Sequence, residues 1–187
     1  MLKQQFLLLF LFASLIGIGQ DKDCLAFKGT GETYQKMRLD TRTELLFAFT
    51  EQKMRTYLKE KDLIEAYAGL TYLENGFYLL NLELKLAIAN APELYGYLPA
   101  RTQMVFHFLD GNQVKLRINK EVRGTFDKKE KTYLYQLEYP LAANLIKHLK
   151  VKELDRISIN WSTGKEEYEI YDVDFFIRHF RCLANYQ

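Results

Sequence analysis

Polar and apolar side chains alternate one for one through residues 78–88. The apolar set is Tyr78, Leu80, Leu82, Leu84, Leu86 and Ile88, and the polar set includes Asn81, Glu83 and Lys85. Successive side chains of a β-strand point to opposite faces of the sheet. The pattern therefore predicts a long strand that is buried on one face only.

An Asn-Gly pair at residues 75–76 precedes this strand. Asn-Gly is the favoured two-residue hairpin turn because both residues tolerate positive φ angles. It predicts a hairpin in which Glu74 pairs with Phe77 and Leu73 pairs with Tyr78.

A second hairpin is predicted for residues 102–119, with a three-residue loop at 110–112. That loop pairs Phe108 with Val114 and turns His107 outward. A two-residue loop would instead turn the imidazole of His107 toward the apolar face, because a slip of one residue exchanges the two faces of a strand. We therefore prefer the three-residue loop.

Tyrosines and a leucine alternate with other residues over 133–139, which predicts another strand. Pro140 is expected to end it, because proline is favoured in the first turn of a helix. Apolar residues then recur at helical spacing, which predicts a short helix over residues 141–150.

The last predicted hairpin turns at residues 163–164 and places Ile159 opposite Tyr168. In this register Ser158 and Glu167 face outward. A closing helix follows, for which Asp172 is the expected N-cap.

Residues 25–65 have a weaker pattern. Residues 44–50 alternate as a strand does, and residues 53–59 are a candidate partner for it. Residues 62–67 fit the start of a helix equally well. Residues 90–101 contain two prolines and a glycine, which predicts a loop.

Together these elements predict a mainly β protein, an antiparallel β-sandwich or open barrel of about eight strands with two short α-helices near the C-terminus. No linker rich in Ser, Gly or Pro interrupts the chain. Residues 20–187 are therefore expected to form a single β-rich domain.

Residues 1–19 have the layout of a secretory signal peptide. Lys3 precedes an apolar run over 6–16, and small residues follow at Gly17 and Gly19. We expect cleavage after Gly19 and a periplasmic or extracellular mature protein. No later apolar stretch is long enough to span a membrane, so none is expected in the mature chain.

The chain has two cysteines, Cys24 and Cys182, one near each end of the mature protein. Disulfides form in the compartments to which signal peptides lead, so a Cys24–Cys182 bridge is predicted. Lipidation of Cys24 is not expected, because charged residues at 21–23 precede it where small or apolar residues are needed.

Charge argues against a nucleic-acid partner. The formal net charge is +2, and it falls to +1 when Lys3 leaves with the signal peptide. A protein that binds phosphate backbones has a strongly basic domain or stripe, and acidic residues interrupt the short basic clusters of this chain.

No catalytic, metal or cofactor motif stands out. The three histidines do not share a spacing that binds metal. Ser158 and Ser162 have no histidine at a spacing that predicts a catalytic pair. Glu167 and Glu169 face the same way, but nearby basic residues predict solvated ion pairs rather than acid–base catalysis.

The thirteen tyrosines are the remaining chemical signal, because a tyrosine joins a flat apolar ring to a hydroxyl and suits sugar or peptide recognition. Tyr95 and Tyr97 lie in the predicted loop with Arg101 nearby, which makes these three the candidate binding residues. The alternative is that the loop folds back over the open end of the sandwich.

We therefore expect an exported, non-catalytic binding or interaction module of the cell envelope that uses no cofactor. Its expected partner is another envelope protein or a saccharide. Two alternatives stay open. One is a hydrolase whose site is assembled from dispersed residues, with His107 or the last hairpin as the first place to look. The other is a carrier of an apolar ligand beneath the leucine-rich strand.

Overall fold

The alternating strand lies at the centre of the larger of two main sheets. The computed structural model describes residues 26–29, 38–58 and 61–186, which form thirteen strands and four helices. The strands are β1 (Ala26–Gly29), β2 (Arg38–Thr41), β3 (Glu44–Phe49), β4 (Ile64–Leu73), β5 (Phe77–Leu86), β6 (Tyr97–Leu98), β7 (Gln103–Phe108), β8 (Gln113–Arg117), β9 (Val122–Arg123), β10 (Thr125–Asp127), β11 (Thr132–Leu141), β12 (Leu154–Trp161) and β13 (Gly164–Glu169). The helices are α1 (Arg55–Leu58), α2 (Ala91–Leu94), α3 (Ala143–Leu149) and α4 (Phe175–Ala184).

The strand pairing is antiparallel throughout the described residues. The seven-stranded sheet has the order β1-β2-β4-β5-β11-β10, and β3 pairs with the other half of β4. The four-stranded sheet has the order β13-β12-β7-β8, and β6 pairs with β9. The predicted mainly β, sandwich-like fold is confirmed, although several short strands raise the count above eight.

Aromatic side chains join the two sheets in the core. Phe47 of β3 stacks on Tyr168 of β13 with ring centroids 4.8 Å apart. Tyr135 of β11 meets the ring of Trp161 of β12 edge to face at 5.2 Å. The apolar row of β5 is buried as the alternation predicts.

The register of the first hairpin differs from the prediction by one residue. Leu73, not Glu74, pairs with Phe77, and the turn is a three-residue loop with Gly76 at φ +83°. This register sets Leu70 opposite Leu80 and aligns the apolar row of β4 with that of β5. The two-residue turn would have placed the polar side chains of β4 on that face, so burial outweighs the turn preference.

The other two hairpins are shifted by two residues from their predicted registers. Phe106 pairs with Val114, and Ile157 pairs with Tyr168. Because a shift of two residues leaves every side chain on the same face, the predicted inward and outward faces are confirmed. The β7–β8 loop has the predicted three residues, but they are 109–111.

Two predictions for the N-terminal third are wrong. Residues 53–58, the described part of the candidate partner segment 53–59, do not pair with β3, because they contain α1 and β3 pairs with β4. Residues 62–67 enter β4 rather than a helix. The predicted strand β3 is confirmed, but a bulge between Leu45 and Phe47 breaks its alternation, so that Leu46 and Phe47 are both buried.

Near the C-terminus the predicted elements form with shifted ends. Pro140 does not end its strand, because it lies within β11 and pairs with Leu79 of β5. On its other side, β11 pairs with β10 only over residues 132–134, and the rest of that edge has no partner strand among the described residues. An edge is where a sheet tolerates proline. Consequently α3 starts at Ala143 instead of residue 141.

A polar cluster fixes α4 to the seven-stranded sheet. Nδ1 of the buried His179 is 2.7 Å from Oγ1 of Thr41, which also accepts the N–H of Leu70 at 2.8 Å. Nε2 of His179 is 3.4 Å from a carboxylate oxygen of Glu44. These contacts fit a neutral imidazole that carries its proton on Nε2. Burial lowers the pKa of His179, and Glu44 offsets part of that effect.

Arg178 completes the cluster with ion pairs to Glu44, Asp172 and Asp174. The Asp172 carboxylate therefore contacts Arg178 instead of capping the helix, and the N-cap position belongs to Asp174. The predicted N-cap at Asp172 is wrong because the guanidinium offers that carboxylate a stronger partner.

Acid should weaken this attachment. The unfolded chain protonates His179 near the ordinary pKa of 6.5, whereas the folded protein resists protonation. The stability contributed by the neutral ring is therefore present above that pH and lost as the pH falls below it. Urea denaturation between pH 8 and 5 should show a steeper loss for the natural protein than for His179→Phe, which cannot titrate. Equal slopes would contradict this account.

At pH 8 His179→Phe should lower the free energy of unfolding by about 0.5–1.5 kcal/mol, because the variant loses the hydrogen bond to Thr41.

Candidate functional site

The outer faces of β5 and β11 carry a square of polar side chains. Asn81 lies opposite Glu138 in the strand pairing, and Glu83 lies opposite Gln136. Each amide therefore has a carboxylate beside it along its own strand and another across from it. We call these four residues the polar square.

The polar square forms the floor of an open groove. Thr43 and Tyr67 line it on the β4 side, and Lys120, from the segment between β8 and β9, lines it near β11. Gly69 pairs with Asn81, and because it has no side chain, the groove stays open beside Asn81. The backbone carbonyls of Thr41 and Arg42 and the hydroxyl of Thr43 lie next to Gly69 and border the groove on that side.

Two cavities adjoin along this groove. One has a volume of about 330 Å³ and includes all four residues of the polar square. The other, of about 480 Å³, extends toward the apolar pair Leu79 and Pro140 and is bordered by residues 118–122. Lys120, Gln136 and Glu138 line both, so the two cavities are neighbours along the groove.

The side chains of the groove differ in the number of hydrogen bonds and ion pairs that they make with other residues. Nε2 of Gln136 donates to Glu83 at 3.4 Å, and Nζ of Lys85 lies 3.6 Å from Glu83.

By contrast, Glu138 and Lys120 make no hydrogen bond or ion pair of 4 Å or less with the other described residues. The hydrogen bond to Asp40 raises the pKa of Arg38, and the charge of Glu138 adds to that effect, so Glu138 attracts this guanidinium. The Glu138 carboxylate and the Lys120 ammonium group can therefore bond a ligand without first giving up a hydrogen bond.

Asn81 is held in place from the side of the sheet. Its Nδ2 donates to Oγ1 of the buried Thr71 at 2.8 Å, and that hydroxyl donates to Asp40. Arg38 in turn binds Asp40 at 2.8 Å. This chain orients the amide of Asn81 so that its oxygen, which accepts hydrogen bonds, is left for the groove.

Tyr67 supplies an aromatic ring to the groove. Its hydroxyl donates to Glu65 at 2.8 Å, and Nζ of Lys85 lies 5.1 Å from the ring centroid. Partial burial, followed by the bond to Glu65, raises the pKa of Tyr67 to about 12. The hydroxyl therefore stays protonated and is a donor rather than a base.

The three residues predicted to bind a ligand have different surroundings in the structure. Tyr95 is only 8% exposed and packs against Trp161 with ring centroids 5.3 Å apart. Tyr97 lies 5.1 Å beneath the guanidinium of Arg123, and Arg101 is exposed at φ +67°. Their role in binding stays a prediction, but Tyr95 is placed as the fold-back alternative expects.

Hydrogen bonds tie this loop to the turn between β12 and β13. The backbone of Tyr97 exchanges bonds with the N–H and hydroxyl of Ser162, at 2.8 and 3.0 Å. The hydroxyl of Thr163 donates to the carbonyl of Tyr95 at 3.0 Å. The hydroxyl of Tyr135 donates to the carbonyl of Gly96 at 2.8 Å. These bonds hold the loop against the end of the sandwich.

The four-stranded sheet brings His107 to Ser158, a contact that sequence spacing does not predict. Nε2 of His107 is 2.8 Å from Oγ of Ser158, and that hydroxyl donates to Glu167 at 3.0 Å. Hydrogen bonds from Lys165 and Ser158 lower the pKa of Glu167, which keeps it ionised. Ser158 is 0% exposed.

This arrangement does not activate a nucleophile. In a catalytic triad the base takes the proton from the serine, whereas here the proton of Ser158 points to Glu167 and Nε2 of His107 must donate. The buried hydroxyl is also closed to a substrate. The three side chains instead bond β7, β12 and β13 together on their outer face.

Cys182 is buried on α4, and Cys24 lies outside the described residues, as does the predicted signal peptide. Ala26 of β1 pairs with Thr41 of β2. The hydroxyl of Thr41 bonds His179, which lies about one helical turn before Cys182 on α4. The N-terminal strand therefore runs beside the helix that carries Cys182. This placement is compatible with the predicted disulfide, which stays a prediction.

No cluster of three or more His, Cys, Asp or Glu side chains suited to a metal occurs in the described residues. None of their helices is long and apolar enough to cross a membrane. Comparison of the chain with protein-family models, curated proteins and solved structures finds no match.

Sequence reasoning missed the groove, although part of its signal was visible. Asn81 and Glu83 were assignable to the outward face of β5. The partner strand was not, because the pairing of β5 with β11 joins residues that are 47 to 63 positions apart in the sequence. The contribution of Lys120 depends on the path of a loop and has no sequence signal.

The disulfide can be tested on the mature protein. Without reductant, its intact mass should be two hydrogens below that of the reduced chain. Reduction should lower the free energy of unfolding by about 4–5 kcal/mol if the chain-entropy model holds for so long a loop. Cys24→Ser should match the reduced protein and should no longer respond to reductant. Two titratable thiols in the unreduced, denatured chain would contradict the bridge.

Proposed function

We propose that the protein is an exported, non-catalytic module of the cell envelope and that the groove over the polar square is its recognition surface. The observation that carries the proposal is the pair of adjoining cavities that share Lys120, Gln136 and Glu138. A concave surface with a few convergent polar groups is the usual form of a ligand site.

The exposed charged groups of the groove support a binding role. Glu138 and Lys120 are exposed and make no hydrogen bond with the other described residues. Such groups can engage a ligand without first breaking an internal hydrogen bond. Export is supported by the basic residue, apolar run and small residues of positions 1–19.

The two alternative functions have weaker support. A hydrolase centred on His107 needs a serine that can lose its proton to the imidazole, and the bond from Ser158 to Glu167 opposes this. A carrier of an apolar ligand needs free space beneath β5, whereas Leu80, Leu84 and Leu86 pack in the core at 0% exposure.

Paired variants on the two sheets test the proposal. The groove pair is Gln136→Ala with Glu138→Ala. The control pair is Gln113→Ala with Glu169→Ala, the same residue types on the outer face of the four-stranded sheet. The mature proteins would be sedimented with washed envelope fragments. We expect the natural protein and the control pair to sediment and the groove pair to lose about tenfold or more in affinity, the equivalent of about 1.4 kcal/mol.

Both pairs should unfold within about 0.5 kcal/mol of the natural protein, because exposed substitutions rarely do more. Equal sedimentation of the groove pair and the natural protein would overturn the groove assignment. Failure of the natural protein to sediment would overturn the envelope role. Hydrolysis of esters, glycosides or peptides that a single substitution abolishes would overturn the non-catalytic part.

A further inference from the structure

We infer that the ligand of the groove is a saccharide with free neighbouring hydroxyls. The inference rests on the proposed function and deepens it by naming the class of ligand. What carries it is the alternation of amide and carboxylate in the polar square, Asn81 and Glu83 on β5 against Glu138 and Gln136 on β11.

The alternation matches the hydrogen-bonding capacity of hydroxyl groups. A hydroxyl both donates and accepts, an amide offers both functions, and an ionised carboxylate only accepts. A row of hydroxyls laid over the polar square therefore meets a donor and an acceptor at neighbouring positions. Hydrogen bonds to the carboxylates would be the stronger ones, because one partner is charged.

The spacing of the square also suits sugar rings. Side chains directly opposite across antiparallel strands are about 4.5–5.5 Å apart. Side chains two residues apart along a strand are about 6.6–6.8 Å apart. These separations are of the size of one pyranose ring with its substituents, so one or two rings would cover the square.

Apolar surface borders the polar square on two sides. Tyr67 lines it on the β4 side, and the opposed pair Leu79 and Pro140 continues the floor at one end. Sugar rings have apolar C–H faces as well as hydroxyls, and aromatic rings with a polar edge are suited to contact them. A groove with both kinds of surface accepts both sides of such a ring.

An extended peptide fits the groove less well. Strand addition would use the edge of β11 that has no partner strand in the described part of the chain, but Pro140 lies on that edge and removes one backbone donor. Residues 118–122 border the same edge and cover part of it. Proline and covering loops are the usual means by which proteins block strand addition.

A polyphosphate ligand fits less well still. Glu83 and Glu138 on the floor repel phosphate groups, and among the described residues Lys120 is the one basic side chain that lines the two cavities. A neutral hydroxylated ligand avoids this repulsion. A sugar that carries one amino group would in addition place a cation near the exposed carboxylate of Glu138.

The class of ligand can be tested on the envelope fragments themselves. Periodate cleaves the carbon–carbon bond between neighbouring hydroxyls, whereas a broad-specificity protease removes protein and leaves the sugars. We expect periodate-treated fragments to lose sedimentation of the natural protein about tenfold or more. Protease-treated and mock-treated fragments should retain it.

Loss on protease treatment with retention after periodate would overturn the saccharide inference. The proposed function would stand in that case if the groove pair still fails to bind. Equal binding by the groove pair and the natural protein would overturn both. The two failures are thus distinguishable.

A second measurement keeps the inference tied to the groove. Oligosaccharides released from the same fragments would be titrated calorimetrically against Gln136→Leu and its match Gln113→Leu. The first should weaken binding about five- to tenfold, the loss typical of a hydrogen bond, and the second should leave it unchanged. Equal affinities of the two variants would place saccharide binding elsewhere and overturn the inference.

Discussion

β5 hydrogen-bonds along its length to β4 on one side and to β11 on the other, so its apolar row decides which way three long strands face. Leu80 aligns with Leu70 on one neighbour and with Tyr139 on the other. Each residue of this row faces the core, and the residue that follows it along the strand therefore faces outward. The buried face of the sandwich and the polar square are therefore set by the same two-residue period.

The sequence was most informative where burial and alternation agree. The alternation of β5 and the faces of the later hairpins were predictable, because an apolar row has one stable orientation. The exact registers were not. At the first hairpin the turn preference of Asn75-Gly76 competes with alignment of the apolar rows of β4 and β5, and the much larger buried area prevails. Pro140 was misplaced for a similar reason, since a free edge tolerates what a central strand does not.

The candidate site depends on contacts that no local pattern contains. Glu138 meets Asn81, and His107 meets Ser158, only because distant strands become neighbours. The loop with Tyr95 shows the reverse case. Its tyrosines looked available in the sequence, but the hydrogen bonds of Ser162 and Thr163 hold the loop against the sandwich end.

The placement of the groove has a consequence for how this protein can change over generations. The polar square occupies outward positions whose side chains contribute nothing to the aromatic and leucine core. The proposed recognition surface and the core therefore occupy alternate residues of the same two strands. Mutation at the four positions of the polar square would alter the proposed ligand specificity and leave the core unchanged, so descendants of this chain could differ in the ligand and still share one architecture.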